Sequence, residues 1–218
     1  MSSVTDMKGM FAAAKIFNGD ISKWDVSRVT DMNHMFMSAS SFNSDISKWD
    51  VSSSADMYGM FSGTSFNGDL SKWKVYRVTE MNAMFHETTA FNSDLSEWHV
   101  SSATNMKSLF AYATSFNGDL SKWDVSSVTN MDSMFNSAIS FNGDLSKWDV
   151  STVTEMGAMF HSASSFAQTL CGAWSTSTAN KDAMFLGSSG RICKTSKSKY
   201  LHNHHCDHWN LNPDSNSL

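Results

Sequence analysis

The chain has 218 residues, 41% of them hydrophobic and 17% charged, which is enough apolar material for a buried core and too little charge for a disordered chain. A formal charge of -5 argues against a nucleic-acid binder, which carries a basic stripe. No apolar run approaches the ~18 residues of a bilayer-crossing helix.

The first residues, Met-Ser-Ser-Val-Thr-Asp-Met, already lie inside a repeat. Met1 takes the place that later units give to Val26, Val51 and Val75. The chain is therefore expected to be a fragment, or to start at an internal methionine, so a missing leader says little about location.

Tryptophans recur at Trp24, Trp49, Trp73, Trp98, Trp123, Trp148 and Trp174, in steps of 25, 24, 25, 25, 25 and 26. Two columns hold all 15 phenylalanines. One runs from Phe17 through Phe42, Phe66, Phe91, Phe116 and Phe141 to Phe166, the other from Phe11 through Phe36, Phe61, Phe85, Phe110, Phe135 and Phe160 to Phe185. Aromatics held this strictly in register are core spines, each ring stacking on its counterpart in the next coil.

Within one unit, F-N-G-D-I-S-K-W-D-V-S-R-V-T-D-M-N-H-M-F from Phe17 to Phe36, the first half reads as extended. Ile21, Trp24, Val26 and Val29 follow the L-x-x-L-x-L-x-x-N spacing, with valine at the asparagine position. This predicts a strand over 23–27, with Trp24 and Val26 inward and Lys23, Asp25 and Ser27 outward. Phe17 to Ile21 is the alternative strand. In the second half, Thr30 suits a helix N-cap and Asp31 a first turn. Met32, Met35, Phe36 and Ala39 then fall at i, i+3, i+4 and i+7, the period of a short helix. Two turns need neighbours to be stable. The expected fold is an α/β repeat solenoid, leucine-rich-repeat-like, with one short parallel strand and one short helix in each of about eight coils. The predicted organisation is solenoid over 1–165, degenerate last repeat and cap over 166–210, and a disordered tail over 211–218.

The recurring S-F-N-G-D-L-S-K-W-D-V-S-S-V-T-N-M-x-x-M-F resembles the BspA-like leucine-rich-repeat surface proteins, from Met1 to about Phe185. The resemblance implies an extracellular or cell-surface solenoid for adhesion or recognition, with no shared enzymatic activity, no cofactor and no catalytic residues.

Several columns bear on chemistry. Asn18, Asn43, Asn67, Asn92, Asn117 and Asn142 each precede by two an aspartate, Asp20 to Asp144. Stacked amide and carboxylate oxygens suit calcium, but Asn and Asp also satisfy backbone groups at turns, and N-G-D or N-S-D is sparser than a calcium solenoid. A turn ladder is the expected reading. The methionines sit in helix-period columns and are read as core rather than a soft metal site.

On the predicted strand face most coils present Lys, Asp and Ser, a solvated zwitterionic surface. Two middle coils depart from it, with Lys72, Lys74, Tyr76 and Arg77, then Glu97 and His99. An aromatic among cations and an imidazole makes these the candidate site for a protein or glycan ligand. Neutral drift on an exposed face is the competing reading.

The pattern decays after Phe166, and all three cysteines lie beyond it: Cys171, Cys193 and Cys206. Pairing Cys171 with Cys193 closes the last coil and suits a secreted protein, although sequence alone does not fix the pairing. His202, His204, Cys206 and His208 are donors that zinc accepts, but their spacing matches no standard zinc module, and no metal site is assigned. An open first coil would leave Met7, Met10 and Phe11 partly exposed, which predicts end-to-end self-association.

Overall fold

In the computed structural model, which describes residues 3–194, each repeat lies on the next in parallel register. Asp31 bridges to Asp6 on one side and Asp56 on the other, and the column continues through Glu80, Asn105, Asn130 and Glu155 to Asn180. Bonding along it has a fixed polarity. Thr30 N–H donates back to the Thr5 carbonyl at 2.8 Å, while Met32 N–H donates forward to the Asp56 carbonyl at 2.9 Å.

The helix expected over 32–39 does not form. The N–H groups of Met35, Met37 and Ala39 reach back three residues to Met32, His34 and Phe36, at 3.1, 3.1 and 2.9 Å. The N–H groups of His34, Phe36 and Ser38 instead cross to the carbonyls of Tyr58, Met60 and Ser62, at 2.7, 2.9 and 2.7 Å. A helix would keep all these donors inside one short segment. Exporting alternate ones bonds coil to coil, and each of these six donors still finds a partner. In the turns closed by Met35 and Ala39 the third residue has positive φ, as a type II turn requires. His34 has φ 55° and Ser38 φ 59°. The first such column runs from Gly9 through His34, Gly59, Ala83, Ser108, Ser133 and Ala158 to Ala183. The second runs from Ala13 through Ser38, Gly63, Glu87, Tyr112, Ser137 and Ser162 to Gly187.

No strand forms over 23–27 or over the alternative 17–21. The donors are taken by turns, which form even in the coils where Lys74 and His99 replace the aspartate and which aspartates reinforce in most coils. Asp20 Oδ1 accepts the Ser22 N–H at 3.0 Å and Asp25 Oδ1 accepts the Ser27 N–H at 3.1 Å. Trp24 N–H closes on Ile21 and Val29 N–H on Val26, at 3.0 and 2.9 Å. With those donors taken locally, a continuous inter-strand ladder has nothing to pair with. The alternation of faces survives: Trp49 and Val51 are buried while Lys48 and Asp50 are exposed.

The core follows the columns. Met32, Met35, Phe36 and Ala39 are fully buried although they are not helical. Phe110 stacks on Phe116 of its own coil at 3.9 Å and on Phe135 of the next at 5.6 Å. Each buried indole donates to the previous coil: Trp123 Nε1–H reaches the Leu95 carbonyl at 3.0 Å and Trp148 the Leu120 carbonyl at 3.0 Å. That bond removes the polar cost of burying tryptophan and fixes the register.

The named strands and helix of the described residues all lie where the repeat decays. β1 (Thr169–Leu170) pairs in parallel with β2 (Arg191–Ile192), and between them α1 (Ala173–Thr176) buries Trp174. Cys171 and Cys193 are joined by a disulfide, with Cα atoms 4.9 Å apart. The 195–210 part of the predicted cap, the 211–218 tail, and His202, His204, Cys206 and His208 lie outside the described residues.

Candidate functional site

The turn ladder accounts for the polar columns first. The Asn43 N–H donates to Asn18 Oδ1 at 2.8 Å, the Asn67 N–H to Asn43 Oδ1 at 2.9 Å, and the series runs on to Asn142, whose Oδ1 accepts the Ala167 N–H at 3.0 Å. The aspartates two residues on point their oxygens at serines. At Asp45, Oδ1 takes the Ser47 hydroxyl at 2.7 Å and its N–H at 2.9 Å. Those two bonds, the hydroxyl's first, hold the Asp45 carboxyl below its ordinary value of 3.8. Among the described residues, no three His, Cys, Asp or Glu side chains converge as a metal cluster.

Lys72, Lys74, Tyr76, Arg77, Glu97 and His99 are all exposed, and lie on neighbouring coils. Alternation around Trp73, Val75 and Trp98, which are buried, turns Lys72, Lys74, Glu97 and His99 outward. Tyr76 is 47% exposed, a large aromatic held in water at a position where most coils carry serine. Two shallow hollows flank the change of pattern. One, of about 420 Å³, is lined by Lys48, Trp49, Asp50, Lys72 and Lys74. The other, of about 190 Å³, is lined by Glu97, Trp98, His99, Lys122 and Asp124. Lys122 Nζ donates to Glu97 Oε1 at 2.6 Å, and that bond followed by the pair's charge attraction raises the lysine's pKa above 10.5. Both partners are about two-thirds exposed, so the pair orders the rim more than it stabilises the fold. The structure places the Tyr76 and His99 coils side by side but collects them into no single enclosed cavity.

A second concave region went unrecognised in the sequence. On the tight-turn side, a hollow of about 330 Å³ spans four coils, from His34 and Met37 across Tyr58 and Gly59 to Asn82 and His86, ending at Lys107. The His34 and Tyr58 rings meet edge to face at 4.3 Å, and His86 meets Tyr112 similarly at 5.6 Å. At His34 the available signal was its departure from the glycine, alanine and serine that the other coils carry in that column.

No curated protein and no solved structure matches the chain. One family model covers residues 1–98 and, again, 87–198, so the repeats account for most of the chain on that comparison as well. The chain belongs to the family described as Mycoplasma protein of unknown function, DUF285.

Proposed function

We propose that this protein is a non-catalytic recognition module, a solenoid of stacked coils that works at a cell surface or outside the cell. It binds a protein or glycan through the face bearing Lys72, Lys74, Tyr76, Glu97 and His99. The observation that carries the reading is the exposed Tyr76, between Lys74 and Arg77 in sequence and one coil from His99, where the pattern of the face changes. Aromatic and cationic groups of this kind are what binding hot spots are made of. The repeat motif's resemblance to BspA-like surface proteins points the same way, and a disulfide suits an oxidising compartment. The stacked geometry offers side chains along an open face rather than a deep cleft, which suits recognition better than catalysis.

The regularity of the asparagine and tryptophan ladders favours a second reading, a spacer that holds other domains away from a surface. The two are separated by screening the chain against extracellular-matrix proteins and a glycan array, beside a Lys74→Ala, Glu97→Ala, Tyr76→Ala, His99→Ala variant. A ligand lost in the variant supports recognition by this face. A ligand that survives it rejects the face, and silence across the screen favours the spacer.

A further inference from the structure

We propose that the hollow over His34, Tyr58, Asn82 and His86 is a saccharide-binding site, on a different side of the coils from the lysine face and independent of the role given to that face. The first observation concerns the two left-handed columns. They hold glycine, alanine or serine almost throughout. The exceptions are His34, Glu87 and Tyr112. His34 lines the hollow, while Tyr112 packs against His86, which lines it, and Glu87 follows His86 in the chain. The large residues of these columns thus lie in or beside a hollow that spans four coils.

The second observation is that the neighbouring coil makes room for the imidazole. Gly59 has φ 59°, and a Cβ there would come within 2.6 Å of His34 Cδ2 and 2.9 Å of Nε2. A glycine at this position both adopts the turn and lets the ring lie on its backbone.

The third observation concerns what is left to bind with. Asn82 borders the hollow, but its Oδ1, like Asn33 Oδ1 in the same column, is buried and closed to a ligand. The backbone of this side has little to offer a peptide, because its donors are consumed between coils: His34 N–H on the Tyr58 carbonyl at 2.7 Å, Ala83 N–H on the Lys107 carbonyl at 2.8 Å. Only side chains remain for recognition.

Those side chains fit a sugar. A pyranose has an apolar C–H face that packs on an aromatic ring and a rim of hydroxyls that both donate and accept. Tyr58 supplies the ring, while its hydroxyl and the imidazoles of His34 and His86 supply donors and acceptors. Lys107 is held by Asp132 at 3.3 Å, which offsets the local cation and favours a neutral sugar over an anionic one. At about 330 Å³ the hollow falls within the range of small-ligand sites.

The test titrates the full chain with methyl glycosides of glucose, galactose, mannose and N-acetylglucosamine and with their short oligomers. Binding is read by saturation-transfer NMR and calorimetry. The variant is His34→Ser with Tyr58→Asn, residues that other coils carry in these columns, at Ser108 and at Asn33 and Asn82. Saturable binding of at least one sugar, weakened tenfold or more in the double variant with no drop in melting temperature, is the expected result. Lys74→Ala with Tyr76→Ala leaves that binding intact. Absence of saturable binding across the panel, or binding indifferent to the His34 and Tyr58 changes, overturns the proposal.

Discussion

At the scale of single residues, the positive-φ columns decide what each coil tolerates. Ala83, Ser108, Ser133 and Ala158 occupy left-handed backbone at φ 49° to 57°. Each carries steric strain of about 1–2 kcal/mol that glycine would relieve, less the entropy glycine loses on folding, about 0.5–1 kcal/mol. Replacing all four by glycine is expected to stabilise the chain by about 2 kcal/mol in urea titrations. Gly59→Ala acts in the opposite direction, because the added Cβ meets both the positive φ and the His34 ring. A quadruple variant less stable than the parent would show that these residues bear no strain.

At the scale of the element, the repeating device is an aspartate that captures the N–H and hydroxyl of the serine two residues on. Asp20, Asp25, Asp45, Asp124 and Asp149 do so through the hydroxyl bond first and the backbone bond second, and each carboxyl is lowered from 3.8. The folded form of each therefore holds its proton more weakly than the unfolded chain. The stabilisation is present in full above about pH 4 and is lost as pH falls through the lowered folded values. These groups are at the surface, so each is worth little and the effect comes from their number. The melting temperature should decline below about pH 4 more steeply than in a variant with Asp20, Asp45, Asp69 and Asp119 changed to asparagine. Asparagine keeps an acceptor oxygen but does not titrate. Equal acid slopes for the two proteins would assign the loss to other carboxylates. The same aspartates reinforce the pair of turns in the stretch that looked like a strand in sequence, where local bonds take the donors that a sheet needs.

At the scale of the molecule, stability is a chain of nearest-neighbour terms. Phe110 is fully buried, with Phe85, Phe116, Phe135 and Trp123 around it. Phe185 is only partly buried, with Phe160 and Phe166 beside it. Phe110→Ala is expected to cost about 3–5 kcal/mol and Phe185→Ala clearly less, measured by urea unfolding followed through tryptophan fluorescence. Equal losses at the two positions would mean that the stack behaves as one indivisible core.

The periods of phenylalanine, tryptophan and methionine were enough to identify the repeat, its register and its buried side chains, because burial depends on which residues recur on one side and not on the backbone path that brings them there. Met32, Met35, Phe36 and Ala39 illustrate this: their spacing marked them as core, and they are core in a segment that is not a helix. The backbone path itself was decided by tertiary structure. Whether the His34 and Phe36 N–H groups bond within their own coil or across to Tyr58 and Met60 depends on a neighbour 24 residues away, which local propensity does not register. The lysine-face residues could be picked out in sequence because they break a visible column. The groove at His34, Tyr58 and His86 could not, because its members stand at different positions in different repeats and become neighbours only when the coils stack.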